Sequence, residues 1–228
     1  MSPVDITVAA DAEEAARLAA DGLAEQARGG GSIVLTGGRT PRVAYRLAAD
    51  LEPDWSRVDI WWGDERCVPP DDERSNYSLG LALLDRINQP PAAVHRMRGE
   101  LGPDAGAAEY DLELEGVGTF DLVLLGLGPD GHTASLFPNF PSLDVTDRDA
   151  VGTVAGQEPF VDRISMTLPR LSATHELLFL VTGEDKAEAV ARAFAGEPSR
   201  DTPGSLARAA EGITRAILDQ AAAARLPR

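Results

Sequence analysis

The 228-residue chain contains a single cysteine, a single lysine and only three histidines. The lone Cys67 excludes an intrachain disulfide and fits a reducing cytoplasm. Histidines and cysteine lie in separate segments with no metal-ligand spacing, so no metal is expected. No apolar run approaches the roughly 20 residues of a membrane span. Residues 1–10 carry neither a basic stretch nor a long apolar core, so no export signal is visible and a cytoplasmic location is expected. Basic side chains are also few: 21 against 37 acidic ones, for a net charge of −16. Such a surface repels nucleic acid and anionic lipid, and neither is an expected partner. An anionic small molecule would need a local positive exception on this negative body. Walker-type loops, paired-histidine zinc motifs and G-x-S-x-G elbows are all missing.

What remains is the balance of a globular protein, with 43% hydrophobic and 25% charged residues. Strand-like runs alternate with helical ones and no linker divides the chain. This predicts one α/β domain over residues 1–228, with a mostly parallel sheet between two helical layers. Asp11 caps a helix over 11–28 that Gly29, Gly30 and Gly31 end. Strands are predicted at 32–36, 58–63, 120–127 and 175–182, with a further candidate at 163–168. Helices are predicted from Pro41 to about Asp50, over 76–87 and over 184–195. Residues 64–76 and 128–142 read as loops. The alanine-rich tail, 205–226, reads by propensity as one helix, although Gly212 and the run 213–218 could hide a last strand.

Four segments at strand tips can carry chemistry. In Thr36-Gly37-Gly38-Arg39-Thr40-Pro41 a strand gives way to a helix start through two glycines. Free N–H groups there suit a phosphate, although a plain turn has the same pattern. In Trp61-Trp62-Gly63-Asp64-Glu65-Arg66 three charged residues follow a buried strand, where ligands of parallel sheets sit. The next residue, Cys67, has no base placed to activate it and reads as a packing residue.

The segment from Gly126 to Pro138 formally contains G-x-G-x-x-G at Gly126, Gly128 and Gly131. Pro138 and Pro141 end any helix within about two turns, which argues against a dinucleotide fingerprint. His132 follows Asp130 by two residues on this loop, and an aspartate can orient a proton-transferring imidazole. The fourth segment, Thr182 to Lys186, places the only lysine at another strand-to-helix turn, and Arg163 is a further basic candidate.

In this order the four segments resemble the 6-phosphogluconolactonase family, which is related in fold to the glucosamine-6-phosphate deaminases. Gly37, Gly38, Thr40 and Pro41 match its Gly-Gly-Ser-Thr-Pro signature, with Arg39 where serine is usual. Asp64-Glu65-Arg66, Val68-Pro69 and Ser75-Asn76 match a second block, and Gly126 to Pro138 the most specific one. Arg163, Thr167, Gly183, Lys186 and Leu218-Asp219 match the C-terminal pattern. The deaminases usually carry tyrosine where Arg66 stands, and glutamate after the histidine loop, where this chain has Ser135-Leu136-Phe137-Pro138.

The resemblance implies a Rossmann-like three-layer fold and hydrolysis of 6-phospho-D-glucono-1,5-lactone in the oxidative pentose phosphate pathway, without cofactor. His132 would be the general base and Asp130 its orienting partner. Arg66, or backbone N–H groups between Gly128 and Gly131, would stabilise the oxyanion. The phosphate would sit on Gly37, Gly38, Arg39 and Thr40 with Arg66, Arg163 and Lys186, while Asp64 and Glu65 face sugar hydroxyls or hold Arg66. The implied partner is a small sugar-phosphate lactone, acted on by a monomer or small homo-oligomer. An amino-sugar phosphate isomerase/deaminase and a non-catalytic sugar-phosphate sensor are the alternative readings.

Overall fold

Strands whose neighbouring side chains are all apolar have something to bury on both faces. In the run Leu177 to Val181, odd-numbered side chains enter one core and even-numbered ones the other. Trp61 and Trp62 divide in the same way. The computed structural model describes residues 3–227 and builds the sandwich that this pattern demands.

Seven parallel strands form the central sheet. In spatial order they are β1 (Val4–Ala9), β10 (Ile213–Asp219), β9 (Thr174–Val181), β6 (Phe120–Leu125), β2 (Gly31–Leu35), β3 (Val58–Trp62) and β5 (Ala93–His95). One face is covered by α1 (Ala12–Gly29), α2 (Arg39–Leu51) and α3 (Asn76–Leu84), around Leu23, Tyr45, Trp55 and Trp62. The other is covered by α4 (Pro103–Leu114), α5 (Leu168–Ser172) and α6 (Ala187–Ala195). A small antiparallel sheet of β4 (Asp64–Arg66), β8 (Arg163–Met166) and β7 (Ala150–Thr153) completes that layer. Full burial of each large apolar side chain here contributes about 1.5–3 kcal/mol.

The strand order reverses between β2 and β6. Their carboxyl ends run into Thr36-Gly37-Gly38 and Gly126-Leu127-Gly128, so both glycine-bearing loops open above one point of the sheet. No helix among the described residues is long and apolar enough to cross a membrane.

Two expectations need correction. The alanine-rich tail is not one helix: the alternative strand in the run 213–218 is what forms, as β10, seated between β9 and β1. Isoleucines at 213 and 217 and an open place in the sheet outweigh alanine's helical preference. Residues 64–66 are not loop but the short strand β4, paired with β8. Strands β1, β5 and β7 and helix α4 were not anticipated. Residues 184–186 form a single 3-10 turn ahead of α6.

Candidate active site

Above the switch point lies a cleft of about 370 Å³, within the size range of small-molecule sites. Its first wall is the start of α2. Gly38, at φ +118°, is the N-cap, and no side chain caps the helix. The tip of β2 is held from below by buried Tyr45. Its hydroxyl donates to the Thr36 carbonyl at 2.6 Å and accepts from the Thr36 N–H at 2.9 Å. Burial pushes the Tyr45 phenol well above its ordinary pKa, so it stays neutral. Thr40 and Thr182 share a hydroxyl hydrogen bond of 2.7 Å, which joins this helix start to the end of β9. A side chain on Gly37 would collide with the amide of Asn76.

The second wall is basic. Arg66 on β4 and Arg163 on β8 are paired across the small sheet and both line the cleft. Neither has a carboxylate within ion-pair distance among the described residues. Arg163 is almost fully buried, and its Nη2 donates to the Pro159 carbonyl at 2.8 Å. Burial, followed by repulsion from Arg66, lowers its pKa from the ordinary guanidinium value. Two like charges on one wall with no ion-pair partner suit an anionic ligand. Lys186 and Arg39 line the same cleft, and Lys186 Nζ lies 3.2 Å from Asp185.

The third wall carries the imidazole. His132 Nδ1 lies 2.6 Å from Asp130 Oδ1, which also accepts the His132 N–H at 3.1 Å. With Nδ1 engaged, Nε2 is the ring nitrogen left for a ligand. Burial opposes ionisation of Asp130, but the hydrogen bond and charge of His132 outweigh it and hold the carboxyl below its ordinary value. The ring also packs on Phe137 at a centroid distance of 4.8 Å. Gly128 is required here, because a Cβ would strike the His132 ring and the Asp130 carboxylate.

Most of the sequence-predicted site residues gather at the cleft: Gly37, Gly38, Arg39, Thr40, Asp64, Arg66, Gly128, His132, Arg163 and Lys186. Asp130 stands behind His132. Two placements differ from expectation. Glu65 turns away from the cleft, and its carboxylate accepts from Ser75 Oγ and the N–H groups of Arg66, Asn76 and Tyr77 at 2.7–2.8 Å. It therefore caps α3 and holds the Arg66 backbone, the second of its two expected roles, and does not line the cleft. The amides of Gly128 and Gly131 are also occupied, donating to the carbonyls of His132 (2.8 Å) and Gly128 (2.9 Å), so neither is free for an oxyanion. Gly131 does not line the cleft but turns the loop at φ +97°.

Asp64 lines the cleft with its carboxylate already engaged by Ser135 Oγ at 2.6 Å and Asn76 Nδ2 at 3.0 Å. Asn76, Ser135, Phe137 and Thr182 also line it and were not singled out as site residues, although Ser135 and Phe137 share the histidine segment. Cys67 is outside, and burial, with the charges of Asp162 and Glu65, raises its thiol to about 11. No group of three or more potential metal ligands occurs among the described residues.

The family model described as glucosamine-6-phosphate isomerases/6-phosphogluconolactonase matches residues 5–216. The chain belongs to this family. Within it, a 6-phosphogluconolactonase of Streptomyces coelicolor is 42% identical over 224 residues, spanning 90% of this chain and 85% of the relative. That of Mycobacterium leprae is 41% identical, spanning 86% and 85%. The solved structure of 6-phosphogluconolactonase from Trypanosoma brucei matches with a TM-score of 0.87 at 25% identity, covering 99% of each chain. A monomeric glucosamine-6-phosphate deaminase matches with a TM-score of 0.85 at 20% identity, over 97% and 100%, a likeness of fold alone.

Proposed function

We propose that the chain hydrolyses 6-phospho-D-glucono-1,5-lactone to 6-phospho-D-gluconate, with His132 as general base. The supporting observation is the Asp130-oriented imidazole facing a cleft that also holds Arg66, Arg163 and Lys186. The curated relatives carry the name of the same activity.

The 6-phosphate sits at Gly38 to Thr40, against the uncapped start of α2, with Lys186 and Arg66 as charged partners. Water gives a proton to Nε2 of His132 as its oxygen bonds to the lactone carbonyl carbon. The tetrahedral intermediate then breaks its bond to the ring oxygen, which takes the proton back from the imidazolium. The acid formed ionises and releases one proton. A lactone is an activated ester, and base assistance of this kind supplies about 10²–10⁴-fold. Proton release from freshly made lactone, corrected for spontaneous hydrolysis, tests the reading directly. Ammonia release from glucosamine 6-phosphate is not expected.

A further inference from the structure

The histidine loop is fastened from behind by side chains that do not face the cleft. Arg192, on α6, donates through Nη2 to the carbonyl of Asp130 at 3.3 Å. Its Nε donates to Thr202 Oγ1 at 3.1 Å. Thr202 is buried in a turn over residues 199–205, whose Gly204 N–H donates to the Gly131 carbonyl at 2.9 Å. Gly131 lies so close to this turn that a Cβ would stand 2.8 Å from the Thr202 methyl. The turn is braced internally by Ser205, which receives the Ser199 N–H at 2.8 Å and donates to the Thr202 carbonyl at 2.6 Å. On its far side Asn139 donates its N–H to the Arg200 carbonyl at 3.1 Å and its side-chain amide to Asp201 at 2.8 Å. Both flanks of the stretch from Asp130 to Asn139 are thus tied to residues about 60 positions later in the chain.

We propose that Arg192 and Thr202 are positioning residues for His132, an inference that rests on the role given to that imidazole above. The Asp130 peptide and the Asp130 carboxylate move together, so releasing the carbonyl that Arg192 holds lets the Asp130–His132 pair drift. A displacement of about 1 Å at a reacting group costs on the order of 10²-fold in rate. Arg192→Ala is therefore expected to lower kcat about 10- to 100-fold with KM within about twofold. Arg192→Lys, which keeps the charge and one donor, restores part of the loss. Thr202→Val keeps the methyl against Gly131 but loses the hydroxyl, and gives a smaller fall in kcat.

The separating readout is spectroscopic. The wild-type Nδ1–H of His132, bonded to Asp130, gives a downfield proton resonance that Arg192→Ala shifts or broadens, at an unfolding temperature close to wild type. An unchanged kcat in Arg192→Ala, a rise in KM alone, or a fall in kcat with that resonance intact overturns the proposal. If the wild type hydrolyses the lactone and His132→Ala does not, full activity in Arg192→Ala removes this inference only. If the wild type does not hydrolyse it, the assigned reaction fails, while the resonance still tests the clamp.

Discussion

The Nδ1 atom of His132 lies 2.6 Å from Oδ1 of Asp130, and the pair belongs to a loop of only two intervening peptide bonds. An ionised carboxylate can only accept, so it holds a proton on Nδ1, and in the neutral ring Nε2 is then the lone-pair nitrogen that a base requires. Asp130→Asn presents an amide that can also donate, and the ring can then carry its proton on Nε2. Expected is a fall in kcat of about 10²-fold or more with KM little changed. Steady-state kinetics on fresh lactone checks it, and an unaltered kcat contradicts the orienting role.

Asp130 also links stability to pH. Its folded pKa lies below the ordinary carboxyl value because His132 outweighs the opposing effect of burial. A depressed carboxyl stabilises the fold above its unfolded pKa, about 3.9, and that contribution is lost as pH falls through the folded value. Urea unfolding should therefore find wild type more stable than Asp130→Asn at pH 5, with the gap narrowing below about pH 4. A gap that widens there contradicts the assignment.

Glu65 should matter without touching a ligand. Its burial raises the carboxyl pKa, while four donors from Ser75, Asn76, Tyr77 and Arg66 favour the ionised form and offset part of that rise. Glu65→Gln turns an NH₂ group towards two of those donors, which costs about 1–3 kcal/mol. Expected are a lower unfolding temperature and a raised KM, because Asn76 and Arg66 lose their anchor. Thermal melts and kinetics on one preparation check both.

Lys186 and Arg66 should act on binding more than on chemistry. Replacing either by alanine is expected to raise KM about 10-fold or more with kcat changed less, and to weaken competitive inhibition by inorganic phosphate. A fall in kcat alone for Arg66→Ala would place its guanidinium at the carbonyl end instead.

Much of this site was legible in the residue order because its walls are local. Gly37, Gly38 and Thr40 are contiguous with a strand end, and Asp130 and His132 sit on one turn, so composition at the strand tips pointed to them. Orientation was not legible. Glu65 and Asp64 are neighbours on a strand, so their side chains leave on opposite sides, and only the position of α3 decides which one faces the cleft. The amides of Gly128 and Gly131 looked free in a glycine-rich loop but are used to close that loop. Residues 213–218 stayed open between helix and strand, because alanine propensity favours the first and only the place between β9 and β1 decides for the second. Short strands such as β5 and β7, with 3 and 4 residues, carry too little pattern to stand out. Arg192 and Thr202 gave no local signal, since their contacts with the histidine loop span some 60 residues of chain.

The most direct measurement is the rate of acid release from freshly prepared 6-phosphogluconolactone by wild type and His132→Ala, with spontaneous hydrolysis subtracted. Rapid turnover by wild type and a loss of about 10²–10⁴-fold in kcat for the folded variant are expected. Full turnover by His132→Ala, or none by wild type, would contradict the proposed function.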